Sequence, residues 1–247
     1  MATRARHSRV KAPRIKSAKK ELLLHSAQRL MLRKGYWAAS IDEICADASA
    51  SKGVFFHYFK SKKDLGAQTL KGFFESMCAS LGAAARPASA DPLDRVGALM
   101  QRMAGILSSK QGPTGCLIAT FIIDTAEADP DFRALCAHYV AELIRILQAD
   151  LQAAIDHYAP ERQIDSEQLA CYCISVLEGS LLMARARANK GALEHNSELL
   201  MAQLRYLLRR PMPKLGAPAR AKRYPRSLVR RGGGVGGRRK TLVYQAE

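Results

Sequence analysis

Long apolar runs, paired cysteines and any acid in the first twenty residues are missing from this sequence, and each absence excludes something. The longest apolar run, GCLIATFII at residues 115–123, falls short of the roughly 20 residues that cross a bilayer. A longer candidate, LACYCISVLEGSLLMARA at 169–186, is interrupted by Glu178 and reads as a buried helix. No apolar signal core follows the basic N-terminus. A soluble, cytoplasmic protein with no membrane partner is expected. The six cysteines (Cys45, Cys78, Cys116, Cys136, Cys171 and Cys173) form no CxxC pair and no Cys–His spacing of the zinc-finger kind. Reduced, mostly buried thiols are expected, with no metal and no other cofactor.

Catalytic signatures are absent too. There is no nucleophile and base, no pair of carboxylates and no phosphate loop at a recognisable spacing. GGGVGG at 232–237 follows no predicted strand, so it makes a poor phosphate cradle. The reading is not an enzyme.

What is present is positive charge, unevenly placed. The formal net charge is +17 over 247 residues. Residues 1–20 hold eight Lys/Arg and no acid, and residues 209–247 hold twelve Lys/Arg against the single acid Glu247. Residues 21–70 hold seven basic and five acidic side chains, whereas 71–208 hold twelve and sixteen. A slightly basic head thus joins a slightly acidic body, with the charge in the two ends. Such ends suit a polyanion, and nucleic acid fits best. An anionic membrane fits less well, because neither end carries an apolar helical face.

With 48% apolar residues the chain can bury a core, and its patterning is helical throughout. Leu23, Ala27, Leu30 and Met31 mark one stripe on a helix over about 18–34, closed by Gly35. Ser40-Ile-Asp-Glu43 is a capping-box pattern, with Ile41, Ile44 and Cys45 as the buried face of a short helix. Ala48-Ser49-Ala50 breaks it, Ser51 caps a third helix, and Ser61 with Asp64 opens a long fourth toward Leu81. After a linker at 83–92, helices are predicted from Asp91 or Pro92 to Leu107, from Gly115 to Glu127 and from Asp129-Pro130 to Tyr158. KQGPTG at 110–115 reads as a turn, and the last two helices cover 166–189 and 192–209. No segment alternates as a strand. The expected fold is all-α: an N-terminal three-helix head with a helix-turn-helix, joined to a helical bundle. From Pro211 the Pro, Gly and Arg composition predicts disorder.

Two short helices at a sharp angle, supported by a first, make a helix-turn-helix. The N-terminal turn of its second helix reads Ser51, Lys52, Gly53, Val54. Small side chains permit close approach to a major groove, Lys52 can meet a phosphate or base edge, and Val54 can touch a thymine methyl. Ser40 and Lys62 begin the flanking helices, where backbone amides favour an anion. A compact three-helix core with no such role fits the pattern as well.

SIDEICADASASKG followed by VFFHYFKSKKDL resembles the N-terminal domain of the TetR family of transcriptional repressors, over about residues 18–72. The resemblance implies DNA-facing roles for Ser40, Ser51, Lys52, Val54, His57, Tyr58 and Lys62, with Phe55 and Phe59 in the core of the head. Three positions depart from the family pattern. Ser49 stands where Gly is usual and would need a positive φ. Phe56 lacks the hydroxyl of the usual Tyr, and Lys60 replaces a common Pro.

The same resemblance divides the chain into a basic arm (1–16), a DNA-binding head (17–72, motif 40–59), a ligand-binding and dimerisation domain (73–209) and a basic tail (210–247). It implies a homodimer through residues 166–209, for which Leu169, Cys173, Val176, Leu177, Leu181, Leu200, Leu204 and Leu207 offer apolar faces. The partners are then a palindromic double-stranded operator, a second copy of the chain and an unknown small-molecule effector. TGCLIATFII resembles a subset whose sensor helix begins Gly-Cys-Leu, which makes Cys116 a candidate effector-sensing residue. A thiol in a first helical turn has its pKa lowered by the helix dipole. A buried, packed Cys116 is the other reading. His138, Tyr139, Tyr172 and Arg185 are weaker pocket candidates. The alternative function is a sequence-independent nucleic-acid binder driven by the basic ends.

Overall fold

The computed structural model describes residues 12–82, 91–108, 115–188 and 191–209, with side chains from residue 18 onward. Most of the basic arm, residues 83–90 of the expected linker, residues 110–114 of the expected 110–115 turn and the C-terminal tail lie outside the described residues. Among those described there are nine helices and no strand.

The helices start and stop where local chemistry dictates. α1 (Ala12–Lys34) ends on Gly35, whose N–H donates to Met31 O (2.8 Å) at φ 90. It begins earlier than the apolar stripe suggests, so residues 12–16 belong to the helix and not to an arm. Pro13 sits in the first turn, where a missing N–H costs nothing. α2 (Ile41–Asp47) opens on the Ser40–Glu43 capping box: Glu43 N–H donates to Ser40 Oγ (3.2 Å) and Ser40 N–H to Glu43 Oε2 (3.0 Å). Such a cap stabilises by about 1 kcal/mol.

Ser49 takes φ 48, the positive value expected from the resemblance to a family that usually has Gly there. α3 (Lys52–Tyr58) is capped by Ser51 Oγ, which accepts from Val54 N–H (3.2 Å). α4 (Lys62–Gly82) starts at Ser61, whose Oγ accepts from Asp64 N–H (3.1 Å), while Asp64 accepts from Lys60 N–H (2.9 Å).

α5 (Pro92–Leu107) and α7 (Pro130–Tyr158) both follow an Asp-Pro start, with Asp91 and Asp129 capping. α6 (Leu117–Thr125) begins later than expected. Cys116 is extended (φ −100, ψ 121), so it is the cap residue and not part of the first turn. α8 (Ser166–Ala186) and α9 (Ala192–Arg209) complete the order.

α1, α2 and α3 pack around Phe55 and Phe59, both essentially fully buried. Each such ring contributes about 1.5–3 kcal/mol on burial. α4 packs on α1, α5 and α6, while α7 lies against α5, α6, α8 and α9. Among the described residues α8 is long and apolar enough to cross a membrane by length and composition. Here its Leu169, Cys173, Leu177 and Leu181 are buried in the core shared with α7 and α9.

That burial corrects one expectation. Leu169, Cys173, Leu177, Leu181, Leu200 and Leu204 lie inside the protomer, and Val176 and Leu207 are half-buried against the same core. The apolar side chains left outside on these helices are Tyr172, Leu182, Met183, Leu199 and Tyr206.

Candidate nucleic-acid interface

The break at Ser49 turns the chain so that α2 and α3 meet with their starts exposed. Ser40, Ser51, Lys52, Gly53, Phe56 and His57 are all on the surface. Gly53 faces open space: a β-carbon there would meet only Ser51 Oγ, at 3.7 Å. Val54 and Tyr58 are half-buried against the core, and the His57 and Tyr58 rings meet edge-on at 4.7 Å. Of the seven residues expected to face DNA, Ser40, Lys52 and Lys62 share one concavity of about 370 Å³. Its other walls are Ile41, Asp42 and Phe56. Ser51, Val54, His57 and Tyr58 belong to α3 and its cap, outside that concavity.

The electrostatics differ from a bare basic patch. Lys52 Nζ pairs with Asp42 Oδ1 at 2.8 Å, both largely exposed, and the pairing raises the ammonium's pKa. Lys34 pairs with Glu43, and Arg29 with Asp47. Lys34 is the main reason the Glu43 carboxyl falls to about 2, ahead of its bonds to Ser40. At this helix start the Ser40 N–H already donates to the Glu43 carboxylate, and the Glu43 N–H to Ser40 Oγ.

Lys62 is turned inward: its Nζ donates to Trp37 O (3.0 Å) and lies 4.7 Å from the centre of the Tyr36 ring. Burial lowers its pKa, and Lys34 adds to the effect. Asp42, Phe56 and the Tyr36–Trp37 loop are the parts that sequence reasoning missed. They become neighbours of the lysines through the turn geometry, and no local pattern announces them.

Cys116 is buried, at 6% exposure. The dipole argument for a lowered pKa is corrected here. The amides of Ala119 and Ile118 do pull the thiol down, but burial and the nearby Glu178 carboxylate outweigh them and push it well up. Burial likewise raises Glu178, which hydrogen-bonds to the thiol. Tyr139 stacks on Phe74 (4.5 Å), Tyr172 donates to Gln203 (2.7 Å) and Arg185 reaches Leu32 O (3.4 Å). A groove of about 580 Å³ between α5 and α9 is lined by Asp94, Gln101, Glu194, Glu198, Met201 and Arg205, among others.

Comparison with known proteins places this geometry. Residues 23–68 match the model of bacterial regulatory proteins of the tetR family, and 92–198 match the C-terminal domain of LmrA/YxaF-like transcriptional regulators. The HTH-type transcriptional repressor DhaR of Mycobacterium sp. strain GP1 is 24% identical over 172 residues, 70% of this chain and 85% of that protein. The transcriptional regulator AcuR of Cereibacter sphaeroides is 29% identical over 171 residues, 66% of this chain and 74% of that one. The crystal structure of a TetR transcriptional regulator from Chloroflexus aurantiacus superposes with a TM-score of 0.68 at 21% identity, covering 77% of this chain and 96% of its own.

Proposed function

The chain belongs to the TetR family of DNA-binding transcriptional regulators, and on that premise we propose that it is a homodimeric repressor, released from a palindromic operator by a small-molecule effector. The observation that carries the reading is the concavity in which Lys52, Lys62 and Ser40 converge beside the open approach at Gly53. α3 enters the major groove with Ser51, Lys52, Val54, His57 and Tyr58, and Ser40 and Lys62 take backbone phosphates on either side. Residues 17–72 act as the reading head and 73–209 as the effector and dimer domain, in the cytoplasm where the DNA is.

A second copy is supported by the uncovered apolar side chains of α8 and α9, of which Leu182 is 61% exposed and Leu199 56%. Two heads on one dimer match two half-sites about a helical turn apart. Release follows from linkage. An effector that prefers a body conformation with wrongly spaced heads weakens DNA binding by the same factor that DNA weakens it. The α5–α9 groove is within the size range that small ligands occupy.

The test is selection from random-sequence duplex DNA at physiological salt, using the full chain and a chain trimmed to residues 12–210, since α1 begins at Ala12. An enriched palindrome retained by the trimmed chain is the expected result. Binding of any duplex by the full chain, with no enrichment by either, would transfer the function to the basic ends and make this a sequence-independent binder.

A further inference from the structure

Lys62 is not left to sample solvent. A lysine side chain carries about 2 kcal/mol of rotamer entropy, yet this one is held by the Trp37 carbonyl and the Tyr36 and Trp37 rings. The loop that supplies those partners is itself held from α6. Asp124 accepts Tyr36 N–H on Oδ2 (2.6 Å), and its main-chain carbonyl accepts Trp37 Nε1–H (2.5 Å). Gly35 permits the approach, because a β-carbon there would stand 2.6 Å from Asp124 Oδ2. The Tyr36 ring packs between Phe121 of α6 (5.0 Å) and Phe132 of α7 (5.2 Å), so the loop has a floor as well as a tether.

We propose that Asp124 is a positioning residue for DNA contact, acting through the Tyr36–Trp37 loop on the Lys62 ammonium. This rests on the reading of Lys62 as a phosphate contact. Without the Asp124 carboxylate, Tyr36 N–H loses its acceptor and the loop keeps only the indole bond to the main chain of residue 124 and the packing of the Tyr36 ring, so the Trp37 carbonyl is held less firmly and Lys62 loses a fixed partner at the mouth of the concavity. The consequence is specific. Removing Asp124 should erase the contribution of Lys62 and little else in the head, since Ser40, Ser51 and Lys52 are held by bonds within α2 and α3 and their caps.

Full-length protein is titrated with a mixed-sequence duplex over a range of salt, because a phosphate contact does not depend on sequence. Lys62→Ala should weaken binding about tenfold and reduce the slope of log affinity against log salt by about one per protomer. Asp124→Ala should match that change in slope, and the double variant should lose no more than Lys62→Ala alone. Asp124→Asn, whose carboxamide oxygen can still accept from Tyr36, should recover most of it. Trp37 is the single tryptophan of the chain, so a red shift of its emission in Asp124→Ala reads the loosened loop directly. If the alanine variant does not fold, Asp124→Ser carries the same comparison.

A folded Asp124→Ala variant, or its Asp124→Ser stand-in, with the wild-type salt slope, or losses that add to those of Lys62→Ala, would overturn the proposal and leave the Lys62 contact standing. A wild-type slope in Lys62→Ala would overturn both. An intact cycle alongside a failed operator selection would count against sequence-specific reading alone.

Discussion

Gly66 on α4 lies so close beneath the ring of Tyr36 that a β-carbon would stand 2.9 Å from Tyr36 Cε2. The same atom would meet Phe132 at 3.2 Å and Phe121 at 3.3 Å. Rings wedged in a core move only with their neighbours. Gly66→Ala is therefore expected to destabilise the protein by about 1–3 kcal/mol. It should also free the Trp37 loop, and denaturant titration followed by Trp37 emission measures both.

Ser49 should respond in the opposite direction. A non-glycine residue at φ 48 stores about 1–3 kcal/mol of strain, and the extra freedom of glycine in the unfolded chain returns up to about 1 kcal/mol of that. Ser49→Gly is expected to raise stability by about 0.5–1 kcal/mol, visible as a higher denaturant midpoint with an unchanged slope. A lower midpoint would mean that the turn is not strained.

The Glu43 carboxyl predicts a pH dependence. Its folded pKa of about 2 lies below its ordinary 4.5. The stability it contributes is therefore complete above about pH 4.5 and is lost as the pH falls toward 2. Glu43→Gln should be less stable than the parent at pH 7, with a gap that is smaller but still present at pH 3. Urea midpoints at the two pH values decide it, and a constant gap would remove the ion pair from the account.

Buried and pushed up in pKa, the Cys116 thiol should alkylate slowly at pH 8, after the half-buried Cys78. Raising the pH from 8 to 9 should accelerate it by about tenfold, because a thiol that titrates well above this range gains thiolate in proportion to hydroxide. Peptide mapping after iodoacetamide treatment tests this, and fast labelling of Cys116 in the folded chain would restore the sensor reading.

Leu182→Glu places a charge on the uncovered strip of α8. It should weaken self-association by about thirtyfold or more, equivalent to about 2 kcal/mol at a central position. Light scattering across a dilution series reads the change. An unaltered dimer would put the interface elsewhere.

Much of the fold was legible because the chain marks its helix ends chemically. Ser40 with Glu43, Ser51, Ser61 with Asp64, Asp91-Pro92 and Asp129-Pro130 each announce a start within a few residues, and caps are local. The positive φ at Ser49 was legible for another reason, the resemblance to a family that usually has Gly there. The start of α1 was not, because residues 12–16 (Ala-Pro-Arg-Ile-Lys) offer Ile15 as their one large apolar side chain, too little to extend the stripe. Which face of α8 and α9 is inward could not be read either. Both faces hold leucines, and only packing against α7 separates Leu181 from Leu182. The Cys116 environment failed differently: Glu178 is distant in sequence, and burial is a tertiary property that overrides a helix-end dipole. In the candidate site, Ser51 and Lys52 could be named from local pattern. The hold of Asp124 on the Trp37 loop joins residues 87 positions apart, beyond any periodicity.

On the proposed reading of Lys52 as a DNA contact, its ion pair with Asp42 makes that contact a substitution. An ammonium that turns to a phosphate gives up part of its hold on the carboxylate, so the net gain in charge-assisted bonds is smaller than for an unpaired lysine. The loosened carboxylate is left beside a polyanion and repelled by it unless the docked geometry lets water or a base amine satisfy it. In a wrong register that repulsion is uncompensated. On that reading the head would gain discrimination at the expense of adhesion, with sequence-independent attraction left to the twenty basic residues concentrated at the two ends of the chain.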